Sequence, residues 1–468
     1  MNKLNFSKTF LITGHITFLL LISLSVIYYK ERILFFDNVF YLFKIINFEK
    51  FNTEAGRYGA FLSQIPVLAA LKAGMSLKSL LLIYSISFIL IYYVVFMLCT
   101  HVLKNVVAGF SIVFVLVLCM QQGFYHPTHE SHQALIYSLL FYSTINYSFN
   151  KKYYLLKYSI GGLLIALCFF TYPTVLFPLL YIIAFYIIDQ HKWRETGIYI
   201  LVMILIMLSV FKVTYTDQSS YEGQFLSGLF NLRPGIHDFT GYYSTMFFSR
   251  RIGGLYFWLC IIFILAILLQ LANKKYLNAG FTFLGTTSFL VLVLYTYRMG
   301  DSDVMMERSF LPLTVFVSVP FFTELLSSKR RSVLIPGVLV ILVICFAGIR
   351  RLNLEGQRFR RRLKNIEQLI ECTHNMDGRK FLLKKSDENI SNIIMPWTSS
   401  FNSIIVSSMN GNQNTRTIFL YDDLKNWEIY LHDKPDVFLG ADFWLEWQIN
   451  MLNHKYFNLP VEPYKVLE

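Results

Sequence analysis

The chain has 468 residues, of which 55% are hydrophobic and only 15% charged. Soluble domains carry about 25% charged residues, so this composition excludes an ordinary soluble enzyme. The net charge is +13, but much of the excess sits in short loops between apolar runs, which speaks for membrane topology and against nucleic acid binding.

Taken in chain order, apolar runs near the length of a spanning helix, about 20 residues, cover 9–29, 80–100, 106–120, 134–149, 158–170, 175–188, 197–211, 254–271, 280–297, 310–326 and 333–349. They predict an all-α polytopic membrane protein with about eleven transmembrane helices. The first run has no small-residue cleavage site and reads as a retained helix. The cysteines, Cys99, Cys119, Cys168, Cys260, Cys345 and Cys372, show neither a pairing pattern nor zinc-ribbon spacing.

Alternate loops are compact and basic: His101 with Lys104, Lys151-Lys152, Lys192 with Arg194, Lys274-Lys275 and Lys329-Arg330-Arg331. Short basic loops stay in the cytoplasm, and Lys3 and Lys8 place the N-terminus there too. Loops 30–79, 121–133, 171–174, 212–253 and 298–309 then face the other side, with the tail from Arg350. The Arg-rich start of that tail runs against the charge rule, from which long segments are largely exempt. Residues 58–73 are apolar but short and contain Pro66 and Lys72. Counted as a span they would invert every later basic loop, so they read as an interfacial or re-entrant helix.

Residues 1–349 thus form a transmembrane domain. Residues 350–468 change composition, with a basic helix candidate at 358–370 and Trp397, Trp427, Trp444 and Trp447 beyond it. Their length suits a small α+β domain on the outer mouth.

Four outer features carry chemistry. In residues 33–41, ILFFDNVFY, Asp37 is the only acid among apolar and aromatic neighbours, with Asn38 and Tyr41 close by. A carboxylate where a membrane helix surfaces is costly without a task or a partner; the bland reading is a helix cap. Residues 121–132, QQGFYHPTHESH, place His126, His129, Glu130 and His132 together. They read as metal ligands, as acid, base or substrate contacts, or as a polar turn facing headgroups and solvent. In residues 298–312, RMGDSDVMMERSFLP, Arg308 stands where the next helix enters the membrane. It suits either a lipid phosphate or an internal pair with Asp301, Asp303 or Glu307, and Arg298 is a second candidate of the same kind. The loop 212–253 carries Tyr221, Arg233, His237, Asp238, Arg250 and Arg251, in the manner of a lid or sugar platform. Arg57, in Gly56-Arg57-Tyr58-Gly59, faces either Asp37 or a substrate phosphate.

In layout the chain resembles the GT-C superfamily of membrane glycosyltransferases. The matching parts are Asp37 and Tyr41 after helix one, the interfacial segment 58–73, Glu130 in the second polar loop, Arg308 before Leu311 and Pro312, and the outer C-terminal region. It departs from the pattern in Asn38 for a second acid, in Glu and His where the second loop has Asp, and in Ser309-Phe310 after Arg308. The resemblance implies an inverting transfer of a hexose from a polyprenyl-phosphate donor to an envelope glycan of the O-antigen type. The reaction would lie on the periplasmic side of a bacterial inner membrane. Asp37 would act as general base, with Glu130 a second catalytic residue. Arg308, with Arg298, Arg57 and His129, would bind substrate and lipid phosphate. No cofactor is implied, a divalent metal remaining an open option. A flippase of lipid-linked sugars and an O-antigen ligase or polymerase are the alternative readings.

Overall fold

Apolar sequence away from water has one local way to satisfy its backbone, the helix, and the apolar runs named above are largely helical. The computed structural model describes residues 3–54, 56–215, 236–300, 302–328, 330–385, 396–441 and 445–467. Tyr221, Arg233, Asp301, Lys329 and Trp444 lie outside the described residues, as do the side chains of Lys3, Lys151 and His237.

The first half comprises α1 (Lys3–Ile27), α2 (Tyr29–Ile33), α3 (Asp37–Phe48), α4 (Ile65–Lys72), α5 (Leu77–Met97), α6 (Val106–Val117), α7 (Glu130–Asn146), α8 (Tyr154–Thr171) and α9 (Leu176–Gln190). There follow α10 (Thr196–Tyr215), α11 (Tyr243–Ile252), α12 (Phe257–Ala272), α13 (Tyr276–Thr296), α14 (Asp303–Phe310), α15 (Leu313–Ser327) and α16 (Arg331–Cys372). Among the described residues, 8 helices are long and apolar enough to cross a membrane, or 9 if α11 and α12, bent by 81° at their junction, count as one span. This is fewer than the eleven expected. The difference lies in α6 and α7, one short and the other with a polar start. Both are buried almost all round, the mark of helices walled by other helices rather than by solvent or lipid.

The segment 58–73 forms a 3-10 turn, Tyr58–Gln64, followed by α4. Pro66 sits in the first turn of α4, where its missing N–H has no helical partner to lose. A Cβ on Gly59 would lie 1.9 Å from Thr171 Oγ1, so only glycine lets this turn close against the end of α8.

Helix α16 continues from the last apolar run through the basic stretch for 42 residues, about 63 Å at 1.5 Å per residue. The change of composition at 349/350 therefore falls inside one helix. Several of its charged residues have structural partners. Arg351 donates to the carbonyls of Val117 at 3.0 Å and Leu118 at 3.1 Å, satisfying the open end of α6. Arg360 reaches Glu31 at 2.7 Å, and Lys30 reaches Glu367 at 2.9 Å.

After α16 come β1 (Lys380–Lys384), α17 (Ser399–Ser408), β2 (Thr417–Tyr421), α18 (Ile429–His432), β3 (Val437–Ala441), β4 (Leu445–Gln448) and β5 (Lys465–Leu467). The expected α+β unit is instead α/β: β2, β1 and β5 form a parallel sheet in that order, while β3 and β4 pair antiparallel. Parallel pairing follows from strands buried throughout, such as TIFLY in β2, with α17 between β1 and β2 in sequence.

This unit is built into the helical core through α3. The Phe43 ring lies 5.1 Å from Phe401, 5.2 Å from Phe457, 5.5 Å from Phe438 and 5.6 Å from Trp447. Elsewhere, Lys275 joins Asp189 at 2.9 Å and Glu324 at 2.8 Å, tying the end of α9, the start of α13 and the end of α15.

Candidate functional site

Asp37 opens α3 and follows a residue in an uncommon backbone state. Phe36 has φ 57° and ψ −155°, a region costly for any residue with a Cβ and found mainly where packing imposes it. The Phe36 ring is buried and stacks on the His126 imidazole at 5.0 Å. Asn38, fully buried, donates to the carbonyls of Arg32 at 2.7 Å and Tyr125 at 3.0 Å and accepts from the Thr128 hydroxyl at 2.6 Å. Its amide clamps the start of α3 to the 125–128 turn. It stands where a second acid would be expected and has no capacity left for a ligand.

Between these two anchors the Asp37 carboxylate lies 3.5 Å from His126 Nε2, with 43% of the side chain exposed. Burial of its surroundings raises its pKa. The hydrogen bond and charge of His126, then the charges of Arg308 and Arg57, outweigh that and hold the carboxyl below its ordinary value.

A second acid sits opposite. Glu130, the first residue of α7, is buried. It pairs with Arg57 at 2.8 Å and accepts from the Tyr41 hydroxyl at 3.4 Å. Arg57 leans over the Tyr172 ring, 5.5 Å from its centroid, and Arg308 lies 4.6 Å from the same centroid. Arg308 also donates to the Tyr172 hydroxyl at 2.8 Å. Its sequence neighbours do not neutralise it: Arg251 takes Asp303 at 2.5 Å and lies 3.8 Å from Glu307. Glu307 accepts the backbone N–H groups of Gln121 and Gly123, each at 3.1 Å, and so shapes the histidine turn.

The histidine turn is internal. His126, His129 and His132 are all buried, which corrects the reading of a turn facing headgroups and solvent. His129 caps α7, its Nδ1 meeting the Ser131 hydroxyl at 2.7 Å. Burial first, then Arg308 and the two other imidazoles, hold its pKa well below the usual histidine range. The rings meet edge to face, with centroids 5.4 and 5.7 Å apart. Among the described residues no group of three His, Cys, Asp or Glu side chains is arranged to hold a metal ion. With Arg308, Glu307 and Cys119 the three histidines line a small enclosed cavity.

Asp37, Arg57, His129, Glu130 and Arg308 thus come together from three loops. Arg298 does not join them: its carbonyl accepts from the Tyr243 N–H at 2.9 Å, and no hydrogen bond, ion pair or ring contact links its side chain to the five. One participant escaped the sequence reading, and the role of another was not legible in it. Tyr172 stands in the short loop 171–174, where Pro173 was the available signal. His126 was visible in the histidine run, but nothing there said that it rather than His129 would face Asp37.

No protein-family model matches this chain, and no curated protein or solved structure shows significant similarity to it. The site must be read from its own chemistry.

Proposed function

We propose that the chain is an inverting glycosyltransferase. It moves a hexose from a polyprenyl-phosphate donor to an envelope glycan at the periplasmic face of a bacterial inner membrane. The observation that carries this reading is a carboxylate, Asp37, against His126 and near two guanidiniums that flank one tyrosine ring, one of them, Arg308, with no carboxylate in ion-pairing distance among the described residues. A carboxylate base and an unspent cation are what an in-line displacement of a phosphate leaving group requires.

In this mechanism Asp37 accepts the proton of an acceptor hydroxyl as its oxygen forms a bond to the anomeric carbon. The bond from that carbon to the donor phosphate oxygen breaks with its electron pair, and polyprenyl phosphate leaves. Arg308 receives the charge that develops on the phosphate, and Arg57, steadied by Glu130, adds a second positive centre. His126 holds the Asp37 carboxylate in place. Tyr172 orients Arg308 through its hydroxyl. Attack and departure on opposite faces of the sugar invert the anomeric centre.

The test is transfer of labelled sugar in vesicles containing the purified protein, donor lipid and acceptor glycan. Asp37→Asn is expected to abolish transfer while remaining folded and membrane-inserted. Wild-type transfer by that variant would overturn the reading. Movement of lipid-linked sugar across the bilayer with no transfer to acceptor would favour the flippase.

A further inference from the structure

The transfer reaction has no use for the arginine-rich stretch of α16, and a basic segment on the outer side is not needed for topology. The structure gives part of that stretch a different setting. Ala347, Arg350, Arg351, Leu354, Glu355 and Arg358, with Gln121 from the histidine turn, line an open groove of about 250 Å³. The spacing is a helical stripe, and from Ala347 to Arg358 it runs about 16 Å at 1.5 Å per residue.

The charges in the groove are unequally engaged. Arg351 is committed to the carbonyls of Leu255, Val117 and Leu118. Glu355 is buried, accepting from Gln121 Nε2 at 2.7 Å and from Arg358 at 3.0 Å. Arg358 is 60% exposed and spends one of its donors on that bond. Arg350 is exposed and makes no hydrogen bond or ion pair with a described residue. Three guanidiniums against one carboxylate leave the groove with net positive charge, and two of the three keep free donors. The floor between them, Ala347 and Leu354, is apolar.

Position supplies the second argument. Arg350 is the first charged residue after the apolar run 333–349. The groove therefore begins where hydrocarbon gives way to headgroups, with its apolar end toward the hydrocarbon. Guanidiniums match phosphate oxygens in paired, charge-assisted hydrogen bonds.

We propose that this groove binds the phosphate of an anionic membrane lipid, with Arg350 and Arg358 as the phosphate contacts and the lipid's apolar part descending past Ala347. Neither Arg57 nor Arg308 lines it, and the proposal does not depend on the transfer reaction.

The test uses the purified full-length chain in phosphatidylcholine nanodiscs doped with phosphatidylglycerol, the bound anionic lipid being counted by native mass spectrometry. Arg350→Gln with Arg358→Gln is compared with Arg361→Gln with Lys364→Gln, which removes the same charge from the same helix outside the groove. Losing charge-assisted contacts should lower phosphatidylglycerol affinity by roughly tenfold or more in the first variant and leave the second near wild type. Equal loss in both, or loss in neither, overturns the proposal. Arg350→Gln alone, at an exposed residue without a partner, serves if the double variant unfolds, and wild-type affinity in it overturns the proposal likewise. Inorganic phosphate is titrated in parallel. Displacement of the lipid only at high phosphate supports a lipid site, and tight binding of phosphate alone overturns the lipid as its source.

Discussion

Arg308 donates to the hydroxyl of Tyr172 at 2.8 Å and not to Asp303 or Glu307 on its own helix. Those two acids belong to Arg251. A guanidinium at this depth is costly unless engaged, and a neutral phenol engages it without cancelling its charge. Arg308→Ala is therefore expected to lower sugar transfer by roughly 100- to 1,000-fold, the range for removing a group that stabilises developing charge. Tyr172→Phe should cost much less, since the ring remains. Steady-state transfer by both variants in vesicles checks the ranking, and a larger loss in Tyr172→Phe would contradict it.

The Arg57–Glu130 pair predicts an asymmetry. Arg57→Ala leaves a buried carboxylate without its cation and is expected to destabilise by about 3–5 kcal/mol. Glu130→Gln leaves a more exposed cation and should cost less. Arg57→Met combined with Glu130→Gln should recover most of the stability but not the activity. Thermal unfolding in detergent, read beside transfer rates, distinguishes a binding role from a purely structural one.

Asn38 is predicted to be structural. Asn38→Ala strands two carbonyls and the Thr128 hydroxyl in a buried site, at roughly 2–4 kcal/mol in total. Asn38→Asp, which adds a second acid beside Asp37, points a carboxylate oxygen at those same carbonyls. It is expected to destabilise as well, with no gain of activity on adding divalent cations. Metal titration of that variant measures this directly.

Asp37 sets a pH dependence. Its carboxyl is held below the ordinary value because the His126 hydrogen bond and the nearby charges outweigh the effect of burial. A group depressed in the folded state stabilises the fold above its unfolded pKa, and that contribution disappears as pH falls through the folded pKa. Transfer should likewise persist through the ordinary carboxylate range, near pH 4, and fail only below it. His126→Ala should move this acid limb upward. A pH–rate profile unchanged in His126→Ala would rule out the coupling.

Phe43 links the two parts of the chain. It lies six residues along α3 from Asp37 and is buried among Phe401, Phe438, Trp447 and Phe457 of the C-terminal unit. Phe43→Ala should cost about 3–5 kcal/mol. Removal of residues 373–468 should abolish transfer even where the membrane helices remain inserted, because α3 loses the surface that aims Asp37. Protease resistance of the remaining helices, measured with transfer, tests this.

The helices and their approximate limits could be read from hydrophobicity, because a backbone in hydrocarbon has only its own carbonyls to bond and long apolar runs leave no second solution. The same reasoning reached Asp37, Arg57, Glu130 and Arg308, since a charge beside apolar sequence is conspicuous wherever it occurs. Partner choice was not legible. Whether Arg308 meets Glu307 or Tyr172, whether Arg57 meets Asp37 or Glu130, and whether Asn38 binds a ligand or two carbonyls depends on which distant loops arrive together. The same holds for the parallel strand order, for α6 and α7 as inner rather than outer helices, and for Arg298 standing apart. Hydrophobicity is a property of each segment and survives any arrangement. A hydrogen bond between residues more than a hundred positions apart exists only once the packing of the helices between them has brought both ends to the same place.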